Sequence, residues 1–388
     1  MQKKLIALAV AGLASVPAFA ADSAVTLYGL IDLGYSYRSD NYNSAVSSRS
    51  GFDSGQFNGT RLGVRGFEEL SPGLKAIFTL EAGIAADTGG SNQGSRAWGR
   101  QTFAGLDWGG TKITLGHQYT PAFNMYATYE PFALGSVAET NNIFTHILAR
   151  ADNSIAISTP FWGDKLGFAV EGMYSLHTPA NDSLNTIQTS YSETGQNGKD
   201  LRYASIFPKL KFGPATLLIG YSEWKVKEGE KSNNAFDGGL NLDFKAVQLF
   251  GAFARYKNAA SDLTGTAMYA PNGEEWKFDR WFLGGNIPLG NFNLLASYAY
   301  SKDKNDQDLK AQQWGIGGLY NVSKRTSFYV AYAKIITSDN TDALYSGMST
   351  YPVAQQTNLS AYTPSVADAT NGGGGYRSGL NLGLRHTF

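Results

Sequence analysis

Residues 25 to 37 read VTLYGLIDLGYSY. Val25, Leu27, Ile31, Leu33, Tyr35 and Tyr37 share one parity, and Thr26, Tyr28, Asp32 and Ser36 share the other. A two-residue repeat of this kind marks a β-strand with one apolar and one polar face. The far end of the chain repeats it: in GLNLGLRHTF, residues 379 to 388, Leu380, Leu382, Leu384 and His386 alternate with Asn381, Gly383, Arg385 and Thr387 before Phe388. In FNLLASYAYS, residues 292 to 301, Phe292, Leu294, Ala296, Tyr298 and Tyr300 stand against Asn293, Leu295, Ser297, Ala299 and Ser301.

The connections between such segments alternate in length. SPG at 71 to 73, GGT at 109 to 111 and LGN at 289 to 291 are among the short ones, and their Gly, Pro and Asn residues suit tight reversals. The long ones are polar, at 38 to 58, 85 to 96, 120 to 149, 177 to 200, 226 to 234, 258 to 275, 303 to 309 and 338 to 375. The pattern predicts sixteen strands, beginning near residues 25, 59, 74, 97, 112, 153, 166, 201, 215, 235, 247, 276, 291, 310, 326 and 376. An even strand number, with short turns on one side and long loops on the other, is the layout of an outer-membrane barrel. In hydrocarbon only a closed ladder satisfies such a backbone, which leaves one face to lipid and the other to the lumen. The expected fold is therefore all-β, a 16-stranded antiparallel transmembrane β-barrel, wide enough for an aqueous channel.

Composition narrows the class further. The chain has 388 residues, 22 Tyr, 22 Phe, 7 Trp, no Cys and a formal net charge of zero. Balanced charge gives no electrostatic case for nucleic acid, and the lack of cysteine removes disulfides and thiolate metal sites together. Residues 1 to 20, MQKKLIALAVAGLASVPAFA, join basic Lys3 and Lys4 to an apolar run and a small-residue Ala18-Phe19-Ala20 site. That is the form of a secretory signal peptide cleaved after Ala20, with 21 to 388 as the barrel domain. Its apolar run is shorter than the roughly 20 residues that a membrane-spanning helix needs. Removing Lys3 and Lys4 from the 32 basic residues leaves 30 against 32 acidic ones.

A secreted sandwich or propeller also alternates, but it has no need of Tyr, Phe and Leu on the outward row of nearly every strand. Tyr35, Tyr37, Trp108, Trp224, Trp276, Trp281 and Tyr376 stand near strand ends, where membrane interfaces favour aromatic rings. The mean hydropathy of −0.24 does not separate the two, because only half of each barrel strand is apolar.

The segments VTLYGLIDLGYSY, TRLGVRGFEEL at 60 to 70, SPGLKAIFTLEAG at 71 to 83, GRQTFAGL at 99 to 106, TLGHQYTP at 114 to 121 and LGLRHTF at 382 to 388 share an order and spacing. Together they resemble the general porins of Gram-negative outer membranes, in the betaproteobacterial and neisserial branch. The resemblance spans the mature chain. It implies a homotrimer in outer-membrane lipid, a third loop folded inward as the constriction, and a terminal Phe388 that outer-membrane assembly machinery recognises.

The third loop, TPAFNMYATYEPFALGSVAETNNIFTHILA at 120 to 149, carries two acids, Glu130 and Glu139, and no Lys or Arg. It is too long to be a connection without a role. Its EPFALG at 130 to 135 is similar to the Pro-Glu-Phe-Gly-Gly tip of general porins, but here Glu130 precedes the proline. Whether Glu130 points into the lumen is therefore open. Parity turns Arg61 and Arg65 inward beside Gly63, Arg38 inward with Asp32 and Tyr28, and Arg150 inward with Asp152 and Ser154. It leaves Arg100 undecided; Arg100 is included because it matches the arginine of the family's fourth strand. These five arginines form the expected basic wall opposite Glu130 and Glu139.

Fixed charges in a narrow collar act strongly on a passing ion, and guanidinium is always charged with its donors fixed in a plane. The expected function is passive diffusion of small hydrophilic solutes and ions, leaning weakly to anions because Asp32, Glu81 and Asp152 temper the arginines. No cofactor or metal is called for. His117, His146, His177 and His386 lie in four separate segments, with parity placing His117 and His386 on the outer face, and no metal spacing or catalytic constellation appears. An enzyme is thus the remote alternative. A substrate-selective channel for sugars or small organic acids is the nearer one, since parity cannot locate loop side chains.

Overall fold

The computed structural model describes residues 22–41, 48–94, 96–144, 148–176, 202–225, 232–258, 276–305, 308–339 and 376–388. Its strands are β1 (Ser23–Asn41), β2 (Ser48–Ser54), β3 (Arg61–Ser71), β4 (Leu74–Ala85), β5 (Gly90–Ser91), β6 (Gln101–Trp108), β7 (Thr111–Tyr119), β8 (Arg150–Ser158) and β9 (Leu166–Ser175). They continue with β10 (Arg202–Phe212), β11 (Ala215–Lys225), β12 (Asn233–Asp243), β13 (Gln248–Asn258), β14 (Trp276–Leu289), β15 (Phe292–Asp303), β16 (Lys310–Asn321), β17 (Thr326–Thr337) and β18 (Tyr376–Thr387). All belong to one antiparallel ladder that closes through β1 and β18.

The wall has sixteen positions. β2 and β3 share one of them: β1 pairs with β3 from Ser23 to Leu30 and with β2 from Leu33 to Ser39. β5 is only a two-residue flap on the end of β4. The strand starts lie close to those expected from the sequence, with one addition. β2, SRSGFDS, falls within the loop expected at 38 to 58, because a single Phe52 gives it no apolar row.

The two faces separate as a membrane requires. Val25 is 70% exposed and Leu27 64%, whereas inward Asp32 and Ser36 are fully buried. Ile155, Ile157, Leu382 and Phe388 are likewise exposed on the outside, and Asn381 is buried within. Hydrocarbon rather than water must meet that outer surface, since it offers no polar row to hydrate.

The closing seam carries more than backbone pairs. Phe388 exchanges both main-chain hydrogen bonds with Gly29, at 3.1 and 3.2 Å. Tyr329 of β17 reaches across β18 to β1, and a Cβ on either Gly34 or Gly383 would collide with its side chain. Its hydroxyl donates to Asp32 at 2.6 Å. Asp32 also accepts from the backbone N–H groups of Phe57 at 3.0 Å and Asn58 at 2.6 Å. Tyr329→Phe leaves the ring but removes one donor from a buried carboxylate, a loss of about 1.5–3 kcal/mol. We expect the variant barrel to unfold at a lower temperature in heat-modifiability gels; an unchanged transition would show that the hydroxyl contributes nothing to the seam.

Candidate functional site

The chain leaves β7 at Tyr119 and enters a helix, α1 (Pro121–Tyr129). Thr120 caps it by accepting from the N–H of Phe123 at 3.1 Å, and Pro121 fills the first turn, where a missing N–H costs nothing. Ala122, Met125, Tyr126 and Tyr129 recur at helical spacing and are buried together. They pack against inward residues of the wall, among them Phe207, Leu218, Ala252 and Phe282. The Tyr126 hydroxyl donates to Asp237 of β12 at 2.9 Å.

Beyond α1 the segment remains tied to inward rows. The Val137 N–H donates to Asn381 at 2.7 Å. Asn142 donates to Gln313 at 2.9 Å, and Gln313 donates back to the carbonyls of Ala138 and Glu139, each at 3.1 Å. Gly239 lies beneath the ring of Tyr129 and Gly317 beneath that of Phe132, so side chains at those wall positions would collide with the loop.

Glu130 and Glu139 take different places. The Glu130 carboxylate accepts from the Phe132 N–H at 3.0 Å and from both the N–H and the hydroxyl of Thr140. It therefore closes the segment on itself and does not meet the arginines. The cause is the order Glu-Pro, which puts the carboxylate within reach of the 3₁₀ turn Thr140–Asn142. Glu139 instead lines a cavity of about 380 Å³ together with Arg61, Arg100 and Arg150. Burial, and then the nearby Glu130, push the Glu139 carboxyl up to about 8 against the pull of Arg38.

The arginines are anchored from behind. Glu81 accepts from Arg100 at 2.8 Å and lies 3.8 Å from Arg61. The Tyr119 hydroxyl accepts from Arg150 at 3.1 Å and also from Arg100. Arg100 lies just before β6, so the parity of that strand does not bind it, and it turns inward. Arg65 lines a separate cavity of about 520 Å³ nearer the tight turns, with Lys112. Arg38 is held by Asp53 at 3.0 Å and Ser36 at 2.8 Å, with Arg49 on the same Asp53. The expected wall of five is thus three arginines around one cavity, one at the second cavity, and one locked in an ion pair.

The β7–β8 pairing alters another expectation, that for Asp152. The β7–β8 register shifts between Gly116 and Gln118, where Gly116 has φ +141° and Asn153 φ +49°. Two residue steps in β7 there match three in β8, so parity fails in β8: Asp152 turns to His117, which keeps the outward parity of Ile113 and Leu115 and has its Nε2 3.0 Å from the Gly99 carbonyl. Arg96 grips the same Asp152 at 3.0 and 2.7 Å, so this acid is engaged at the wall. His386 does lie in the outward row, opposite Ile31. His146 and His177 fall outside the described residues. Missed altogether were Tyr119 as an arginine anchor and the Asp53 partner of Arg38. The first had no signal beyond its place at the loop entrance, and the second lay in the unrecognised β2.

A closed antiparallel wall, apolar without and lined by opposed charges within, defines a membrane-spanning channel. The chain belongs to the Gram-negative porin family, whose model matches residues 7–341. It is 36% identical over 346 residues to the major outer membrane protein P.IB of Neisseria lactamica, covering 85% of this chain and 92% of that protein. It is 29% identical over 409 residues to outer membrane porin protein 32 of Delftia acidovorans, with both chains covered in full. Among solved structures, an anion-selective porin from Comamonas acidovorans superimposes with a TM-score of 0.65 at 25% identity, over 95% of this chain and 100% of that one. This porin resides in the outer membrane and passes solutes by passive diffusion.

The raised carboxyl of Glu139 gives a testable pH dependence. Below about 8 the group is mainly neutral, and it ionises as pH rises through that value. A negative charge then faces Arg61, Arg100 and Arg150 across their cavity. Preference for chloride, measured as the reversal potential in a KCl gradient, should be greatest on the acid side and fall as pH passes about 8. In Glu139→Gln the preference should stay level through that range; a wild-type preference independent of pH would remove Glu139 from the ion path.

Proposed function

We propose that this porin is a general diffusion pore with a weak preference for anions, its constriction lying between the third loop and the wall of Arg61, Arg100 and Arg150. The observation that carries this reading is the imbalance at one cavity: three guanidinium groups line it with Glu139, which burial keeps largely protonated, and among the described residues a further carboxylate, Glu81, stands behind Arg61 and Arg100. Arg65 and Lys112 line the next cavity along the lumen with one acid, Glu171, which is paired with Lys209, and so extend the same sign. Charges fixed on opposite sides of a narrow lumen orient polar solutes and favour one sign of ion. An apolar solute would have to displace bound water without replacing its hydrogen bonds.

The anion-selective relative supports the sign. No step of bond making is part of this reading: the ionisable side chains at the site are engaged in holding one another, and the work they do is electrostatic. A selective channel for sugars or small organic acids stays as the second reading, because Tyr119 and Phe123 bring aromatic faces to the same cavity. Residues 1 to 20 are read as the signal peptide and 21 to 388 as the barrel. Outer-membrane lipid surrounds it, a homotrimer is the assembled form that the family likeness favours, and Phe388, exposed on the last strand, is the residue offered to the assembly machinery.

In planar bilayers, a KCl gradient should give a reversal potential with chloride as the faster ion, and conductance should rise linearly with salt. A clear cation preference would sink the anion assignment, and saturable block by one solute class would favour the selective channel. Deleting Phe388 should reduce the amount of heat-resistant trimer in the outer membrane more than it alters the conductance of channels that do form. Normal trimer levels in the deletion would count against that address, and only monomer in the unaltered protein would count against the trimer.

A further inference from the structure

Among the described residues the lumen includes a cavity of about 380 Å³ lined by Arg61, Arg100, Arg150 and Glu139, and another of about 520 Å³ lined by Arg65 and Lys112. Two residues, Tyr119 and Asn124, line both. Tyr119 ends β7, and Asn124 lies on α1, so one side of the junction is wall and the other is third loop.

Both side chains are held in place. The Tyr119 ring stacks on Phe123 at 4.5 Å between centroids, with the planes 5° apart. The Arg150 guanidinium carbon lies 4.6 Å from the ring centre, and the Tyr119 hydroxyl accepts from both Arg150 and Arg100. Asn124 donates to Glu171 at 3.2 Å, and Glu171 is paired with Lys209. The two uncharged side chains at the junction are thus each backed by charge, Tyr119 by Arg150 and Arg100 and Asn124 by Glu171, and the larger cavity beyond carries Arg65 and Lys112 together with that Glu171.

We propose that Tyr119 and Asn124 form the neck of this pore, and that Tyr119 determines its specificity in two separable ways. The ring limits the width available to a solute passing between the cavities. The hydroxyl fastens Arg150, and with Glu81 fastens Arg100, so that their charge stays beside the path. Without the hydroxyl the Arg150 guanidinium loses one of the groups that fix it beside the path, and a charge that moves off the path acts less on a passing anion. The solutes this arrangement sorts are small anions, chloride and short carboxylates, by girth at the neck and by charge just above it. The inference rests on the pore reading proposed above.

The experiment compares the full-length protein with Tyr119→Ser, Tyr119→Phe and Asn124→Ala in planar bilayers, with liposome swelling in solutes of graded size. Tyr119→Ser should raise single-channel conductance about 1.5-fold or more and admit larger solutes, as a wider neck requires. Asn124→Ala should raise conductance by less. Tyr119→Phe keeps the ring and loses the acceptor, so its ratio of chloride to potassium permeability should fall to about half. If Tyr119→Ser fails to assemble, conductance of Asn124→Ala still tests the width and reversal potential of Tyr119→Phe still tests the anchor. Conductance equal to that of the unaltered protein in the serine variant, or in Asn124→Ala where the serine variant does not assemble, would place the neck elsewhere. An unchanged permeability ratio in Tyr119→Phe would overturn the positioning role. A cation-preferring unaltered channel would instead overturn the anion reading and leave the width measurements standing on their own.

Discussion

An amide in hydrocarbon has no partner but another amide. That constraint dictates this molecule from the outside inward. Each wall strand must find two neighbours, so β1 and β18 must meet, and their register from Leu30 and Thr387 to Asn41 and Tyr376 completes the ladder. Because side chains alternate, every residue given to lipid is followed by one given to the lumen. Leu27 and Ile31 on the outside therefore come with Tyr28 and Asp32 on the inside, and the polar lining is a by-product of the same repeat that anchors the barrel.

The lumen then poses the opposite problem, since a wide barrel needs something to narrow it. Here the wall gives up side chains where the third loop needs room. Gly239 yields to Tyr129 and Gly317 to Phe132, while Asp237, Gln313 and Asn381 offer the polar ties. Arg61 and Arg100 repel each other at close quarters, and Glu81 between them lowers that cost. In the constriction proposed above, charged groups fastened to fixed partners would hold the field constant from one passing solute to the next.

Much of this could be read from residue order alone, for a physical reason. The wall obeys a period of two over most of its length, so the strand starts, the outward rows and the inward direction of Arg38, Arg61 and Arg65 follow from counting. Counting fails where the backbone leaves the period. Gly116 and Asn153 accommodate a register shift that turns Asp152 to His117, Arg100 stands ahead of its strand, and β2 has too few apolar residues to announce itself. Loop geometry was the least legible, since Glu130 and Glu139 look alike in the sequence and differ only in what surrounds them. One satisfies its own loop, and the other faces the cationic wall.

Tyr329 and Asp32 stand 297 residues apart, and their contact joins β17, β18 and β1. Neither half of the pair can find the other until both ends of the barrel have arrived. Until then Asp32 is a carboxylate on an open strand edge, and afterwards it is buried beneath a phenol. The molecule thereby registers its own completion: beside the β1–β18 ladder, a finished barrel possesses a buried side-chain hydrogen bond that an unfinished one lacks.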